Sequence, residues 1–125
     1  MPTIDLTPQI LDLVLYSGDG VRFRLIITDK NEAPVNLTGE IKAQIRDKRN
    51  EVDLLEGEFT VNLDDAVDGI AVLELTGTQT LALMVGLSTT AKKFVGVWDV
   101  EWTPLDSEPR TLCQGKVECG YDVTR

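Results

Sequence analysis

Histidine is absent from the 125 residues of this chain. Its absence removes the commonest general base, proton shuttle and metal ligand of proteins. Ser-His-Asp and Cys-His triads are therefore excluded within the chain, as is a zinc site with a histidine ligand. The two cysteines are too few for an all-thiolate tetrahedral site. We accordingly expect a non-enzymatic protein that holds no metal and no cofactor.

Positive charge is also scarce. Lysine and arginine total 12 against 21 aspartates and glutamates, which gives a formal net charge of -9. Such a chain repels phosphate backbones and anionic membrane surfaces, so neither nucleic acid nor membrane is the expected partner. A basic protein partner would be attracted to it.

Long apolar runs are missing as well. The apolar stretches are only a few residues long, and a bilayer span needs about 20 residues. The first residues, Met1 to Asp5, lack the basic start and apolar run of a signal peptide. We therefore expect synthesis in a cytoplasm, which leaves open where the protein finally acts.

What the sequence does contain is an alternation of hydrophobic and polar residues, the period of a half-buried strand. It occurs in seven segments: 10–16, 21–28, 41–46, 55–63, 70–75, 94–102 and 113–121. Turn-forming Gly, Asp and Pro separate several of them. The period changes at 78–84, where one or two helical turns are predicted, with Gly86 just beyond their end. The pattern predicts an all-β fold: a single antiparallel Ig-like β-sandwich of about seven strands with one short helical turn.

The termini are expected to lie outside this sandwich. We predict an N-terminal arm over 1–9, the β-sandwich domain over 10–121 and a C-terminal tail over 122–125. Extended arms can add a strand to the sheet edge of a neighbour, although frayed ends are the simpler interpretation.

Two groups of carboxylates are candidates for cation binding or catalysis. Asp64, Asp65 and Asp68 do not have the spacing of an EF-hand calcium loop, so an acidic loop is predicted. Asp99 and Glu101 project from one strand face at roughly 6–7 Å, near the separation of glycosidase carboxylates. A solvated face, with Arg22, Arg24 or Arg46 opposite, is the favoured interpretation because a small sandwich rarely builds a deep cleft.

The last two predicted strands carry both tryptophans and both cysteines of the chain. Trp98 and Trp102 share one strand face, so they are predicted to lie in the core, and a sugar-stacking platform is the alternative. Cys113 and Cys119 are six residues apart on one strand, about 20 Å, which is beyond disulfide reach. They are predicted to be small buried core residues.

Several segments together resemble small β-sandwich proteins of tailed bacteriophages, namely tail-collar proteins and the N-terminal domain of upper baseplate proteins. The likeness covers most of residues 10–123, and its most specific part is Gly18-Asp19 followed by Asp29 and Pro34–Gly39. The other segments are 15–17, 23–25, 43–46, 73–76, 98–102 and 114–117. Unlike the longer baseplate proteins, this chain ends after one predicted domain, so the resemblance extends to no receptor-binding head.

The resemblance implies a virion structural protein that self-associates and docks on other virion proteins of the tail, as a collar, baseplate or fibre-attachment ring. One alternative is a capsid decoration or head-fibre-anchoring protein, and another is a carbohydrate-binding module that uses Trp98 and Trp102. Two predicted loops, 29–35 and 103–109, supply the candidate docking residues. These are Lys30, Asn31 and Glu32 in the first loop, and Leu105, Asp106 and Ser107 in the second.

Overall fold

The computed structural model describes residues 9–29, 31–47, 54–84 and 93–120 as two packed β-sheets. Their strands are β1 (Gln9–Ile10), β2 (Leu13–Tyr16), β3 (Val21–Ile26), β4 (Glu40–Asp47), β5 (Leu54–Glu58), β6 (Thr60–Asn62), β7 (Ile70–Leu75), β8 (Lys93–Thr103) and β9 (Arg110–Gly120). The large sheet has the order β1-β9-β8-β4-β5, with β2 also paired to β9. The small sheet has the order β3-β7-β6. The predicted β-sandwich is confirmed.

Two of the predicted strands are each divided in two, so the described residues hold nine strands rather than about seven. The predicted strand 55–63 pairs with β4 of the large sheet up to Glu58, and from Thr60 it pairs with β7 of the small sheet. Phe59, at the crossing, is buried and donates its backbone N–H to the Ala43 carbonyl at 2.8 Å. The alternation continues through the crossing because the inward side of both sheets faces one core.

The predicted first strand, 10–16, is interrupted at residues 11 and 12. The Leu11 N–H donates to the Gln114 carbonyl at 2.9 Å, and the Leu11 carbonyl accepts the indole N–H of Trp98 at 2.7 Å. A Cβ on Gly115 would overlap that carbonyl, so glycine permits the close approach of the two backbones.

Pairing in the sandwich is not antiparallel throughout. β1 and β2 both run parallel to β9, with Gln9 opposite Cys113 and Leu13 opposite Val117. The other ladders are antiparallel. Parallel neighbours need a long connection, which here is the whole chain from the first strands to the last.

The core lies between the sheets, and three aromatic side chains occupy its centre. Phe23 makes edge-to-face contacts with Phe59 and Trp98, with ring centroids 5.8 and 5.9 Å apart. Phe59 and Trp98 are tilted against each other at 5.7 Å. Edge-to-face rings place a positive edge on a negative face, which adds to the free energy of burial.

A short helix, α1 (Gly77–Ala82), closes the end of the sandwich opposite the candidate docking loops. Hydrogen bonds at its N-terminus fix the residue at which it begins. The Thr76 hydroxyl accepts the Gln79 N–H at 3.2 Å, and the Gln79 side chain accepts the Thr76 N–H at 2.8 Å. This capping box starts the helix slightly before the predicted 78–84. The Thr80 hydroxyl ties α1 to the turn after β2, through the Gly18 N–H and the Asp19 carbonyl. A 3-10 turn at Ala66–Asp68 is a second helical element, which was not predicted.

Candidate functional site

The two predicted docking loops lie side by side at one end of the sandwich. The indole N–H of Trp102, at the end of β8, donates to the Thr38 carbonyl at 2.7 Å. The Leu105 N–H donates to the Thr38 hydroxyl at 3.3 Å. Residues 27–29, 31–39, 63–69 and 103–109 form this surface together, and we call it the loop end.

A cleft of about 350 Å³ separates the two loops. Leu105 and Ser107 line one side, while Asp29 and Asn36 line the other. Asp106 lies instead beside a second hollow of about 690 Å³, together with Glu108 and Arg110. The structure therefore places Leu105 and Ser107 in the cleft beside the first loop, whereas Asp106 lines the second hollow and not this cleft.

The first loop is organised by a residue that was not among the predicted docking residues. The Asp29 side chain accepts the N–H groups of Asn31 and Ala33 at 2.8 and 3.0 Å. The Asp29 carbonyl accepts the N–H of Glu32, whose φ is 64°. Asn31 and Glu32 are exposed as predicted, while Lys30 lies outside the described residues. The signal for Asp29 was its residue type, because aspartate side chains commonly bond the backbone two residues ahead.

The third part of the loop end, 63–69, was predicted as an acidic loop and not as part of a docking surface. The Leu37 N–H donates to the Ala66 carbonyl at 2.9 Å, which joins this segment to the first loop. Val67 is 72% exposed and Leu105 is 69% exposed. No sequence signal placed these two apolar side chains at the same end, because they are far apart along the chain.

Both tryptophans belong to the core, as predicted, and do not form an exposed sugar-stacking platform. Trp98 is 2% exposed and Trp102 is 3% exposed. Their indole N–H groups are bonded to the carbonyls of Leu11 and Thr38. Neither ring offers a face on which a sugar could stack, because the opposite sheet covers that side of β8.

Asp99 and Glu101 lie on the outer face of the large sheet, the solvated face predicted for them. Asp99 is opposite Gln44, and Glu101 is opposite Lys42 on β4. Both carboxylates border a hollow of about 320 Å³ that Arg46 also lines. Arg22 and Arg24, the other suggested partners, are on β3 in the small sheet, where Arg22 is opposite Glu74.

Cys113 and Cys119 are buried and carry free thiols, as predicted. Their register positions opposite Val100 and Phe94 place them on the inner face. Burial raises the pKa of the Cys119 thiol to about 11. It also raises the pKa of Cys113, partly offset by a backbone hydrogen bond from Gln114. In the described part of the chain, no group of three or more His, Cys, Asp or Glu side chains could hold a metal ion.

Both thiols are expected to resist alkylation in the folded protein. At pH 8 a pKa of about 11 leaves roughly one Cys119 thiol in a thousand as the reactive thiolate. Iodoacetamide followed by intact mass analysis should therefore show slow modification in buffer and rapid double modification in concentrated urea. Rapid modification of either cysteine in buffer would contradict the burial described above.

Within the described residues, no helix is long and apolar enough to cross a membrane.

Comparisons with known proteins add little to this geometry. No protein-family model matches the chain, and no curated protein is significantly similar to it. Among solved structures, the chain is similar to a family 123 glycoside hydrolase from Clostridium perfringens, with 12% identity and a TM-score of 0.41. That similarity covers 97% of this chain and 24% of the hydrolase, so the chain spans about a quarter of that protein.

Proposed function

We propose that this chain is a structural protein of a tailed-bacteriophage virion. In this proposal it has no enzymatic activity and assembles by protein–protein contacts on the tail, in a collar, baseplate or fibre-attachment ring. Its partners are other virion proteins and further copies of itself, and its final location is the particle.

The observation that carries the proposal is the place of the most specific resembling segment, Pro34–Gly39. This segment begins in the first candidate loop and continues beside the second, where the Thr38 carbonyl and hydroxyl accept hydrogen bonds from Trp102 and Leu105. Gly39 has a φ of 81° and lies against the backbone of residues 103–105. The resembling residues therefore build the framework of an exposed surface, which favours a docking role.

The composition of the loop end supports a protein partner. Leu105 and Val67 expose most of their apolar surface, and exposed apolar residues surrounded by polar ones are typical of interaction sites. The surrounding side chains are mainly carboxylates, which would attract a basic partner and exclude acidic ones.

The test is the mass of the purified chain by light scattering, followed by gold labelling of a tagged copy on intact phage particles. We expect a discrete oligomer and label at the tail. A monomer with label on the capsid shell would favour the alternative of a decoration or head-fibre-anchoring protein. A chain that is absent from particles would refute both virion roles.

A further inference from the structure

The outer face of the large sheet carries a groove of about 460 Å³, a volume within the usual range for ligand sites. Val97 of β8 contributes to its lining, and Ile10 of β1 contributes too, at 78% exposure. Val97 lies opposite Arg46 on β4 and opposite Lys116 on β9. An apolar strip therefore has a cation on either side.

The charge of this groove differs from the charge of the molecule. Arg46 and Lys116 are balanced in its lining by Asp12 and Asp99, while the whole chain carries a net charge of -9. Asp12 accepts the backbone N–H of Lys116 at 2.9 Å, which holds its carboxylate beside the sheet. An acidic segment is repelled less here than over most of this acidic chain, and in the groove it would lie near Arg46 and Lys116.

The loop end is a segment of that kind. Its described residues carry seven carboxylates and no cation, and the sequence adds Lys30. The carboxylates are those of Asp29, Glu32, Asp64, Asp65, Asp68, Asp106 and Glu108. Leu105 projects next to Asp106 and is 69% exposed. An apolar side chain with acidic neighbours fits an apolar groove whose lining has no net charge and includes two cations.

We infer that the groove binds the 103–109 loop of a second copy of this chain. Leu105 of one copy packs on Val97 and Ile10 of the next, and Asp106 and Glu108 lie near the cations at the sides of the groove. The inference deepens the proposed function, on which it rests for the expectation that the chain self-associates.

The two surfaces of this contact are different parts of one protomer. The loop lies at the end of β8 and β9, while the groove lies on the face of the sheet. One copy therefore offers a free loop and a free groove at the same time. Such heterologous contacts continue from copy to copy until a ring closes or a filament grows.

The test uses two exposed-residue variants, each of which damages one side of the contact. Leu105→Asp removes the apolar loop residue, and the double variant Ile10→Asp/Lys116→Glu damages the groove. Sedimentation velocity should show each variant alone as a monomer of 13.8 kDa while the wild type is an oligomer. An equimolar mixture of the two variants should form a species of twice that mass, because one intact loop meets one intact groove.

Matched controls carry similar changes outside the contact. Leu81→Asp places a charge at an exposed apolar residue of α1, at the opposite end of the sandwich, and Lys93→Glu reverses a cation on the same sheet beyond the groove. Both should keep the wild-type oligomer. Leu105→Ser replaces the first variant if its circular dichroism spectrum shows a loss of fold.

The inference is overturned if the wild type is monomeric, if either variant keeps the oligomer, if a control loses it, or if the mixture stays monomeric. These outcomes are separate from those of the particle labelling. A wild-type monomer found on the tail refutes the contact and leaves the virion role. If the two variants complement each other but the wild type is absent from particles, the virion role is refuted and the contact between copies stands.

Discussion

Replacing Trp98 by alanine is expected to lower the free energy of unfolding by about 3–5 kcal/mol, the usual cost of removing a buried aromatic side chain. Trp98 is 2% exposed and contacts both Phe23 and Phe59, so its loss leaves a cavity at the centre of the core. Native domains are stable by about 5–15 kcal/mol, so the substitution should remove a substantial part of that stability and lower the urea midpoint clearly. Urea unfolding followed by circular dichroism measures the change without depending on tryptophan fluorescence.

Two companion variants separate packing from hydrogen bonding. Trp98→Phe keeps an aromatic ring but loses the N–H that bonds to the Leu11 carbonyl, and one such hydrogen bond contributes about 0.5–1.5 kcal/mol to stability. Val14→Ala changes a residue that is 64% exposed and should stay within about 0.5 kcal/mol of the wild type. Equal midpoints for Trp98→Ala and Val14→Ala would show that Trp98 is not part of the core.

The second large effect is expected at Gly39. Gly39→Ala should destabilise the protein by roughly 3 kcal/mol or more, because two penalties combine. The φ of 81° disfavours any side chain, and a new Cβ would overlap the Thr103 carbonyl oxygen and lie 2.8 Å from the Leu105 nitrogen. The neighbours are backbone atoms at the base of the 103–109 loop, so they cannot move aside without displacing the loop.

Gly20→Ala is the matched control for this substitution. A Cβ there would lie 3.7 Å from the Leu75 carbonyl oxygen, an ordinary van der Waals contact. Its effect on the urea midpoint should be small. Should Gly39→Ala unfold at the same urea concentration as Gly20→Ala, the close approach of the two loops at Gly39 would be wrong.

The same variant connects stability with docking. The Thr38 carbonyl accepts the Trp102 indole N–H, and this bond joins the two loops. If Gly39→Ala remains folded, the displaced loop should present Leu105 in a different position, and self-association should weaken.

Much of the fold follows from patterns that act over short distances. The alternation along 41–46 and 94–102 predicted which side chains are buried, because successive strand residues point to opposite faces. Ile45, Trp98 and Val100 are buried as expected, and Lys42 and Glu101 are exposed. The helical turn was predicted from a change of period, and its starting residue was missed because the Thr76–Gln79 capping box was not used as a signal.

What the sequence did not predict is which strands and loops are neighbours, rather than which face of each strand is buried. Alternation does not encode which strand lies alongside, so the parallel pairing of β1 and β2 with β9 was not predicted. It also does not report a change of sheet, since Phe59 and Val61 continue one inward-facing series across the crossing. Docking residues were predicted from turn composition, which selected Leu105 and Ser107 but did not point to Asp29 and Val67 at the same end of the sandwich.

By itself, the sequence determined the acidic charge, the β-sandwich class, the burial of both tryptophans and cysteines, and the exposure of the two loops. These depend on composition and on local periodicity, which a linear chain contains in full. The tertiary structure alone decided that Thr38 lies beside Leu105, that Gly115 meets Leu11, and that Arg46 and Lys116 stand on either side of Val97. Those neighbours are up to about a hundred residues apart in the chain, and only the packing of the two sheets brings them together.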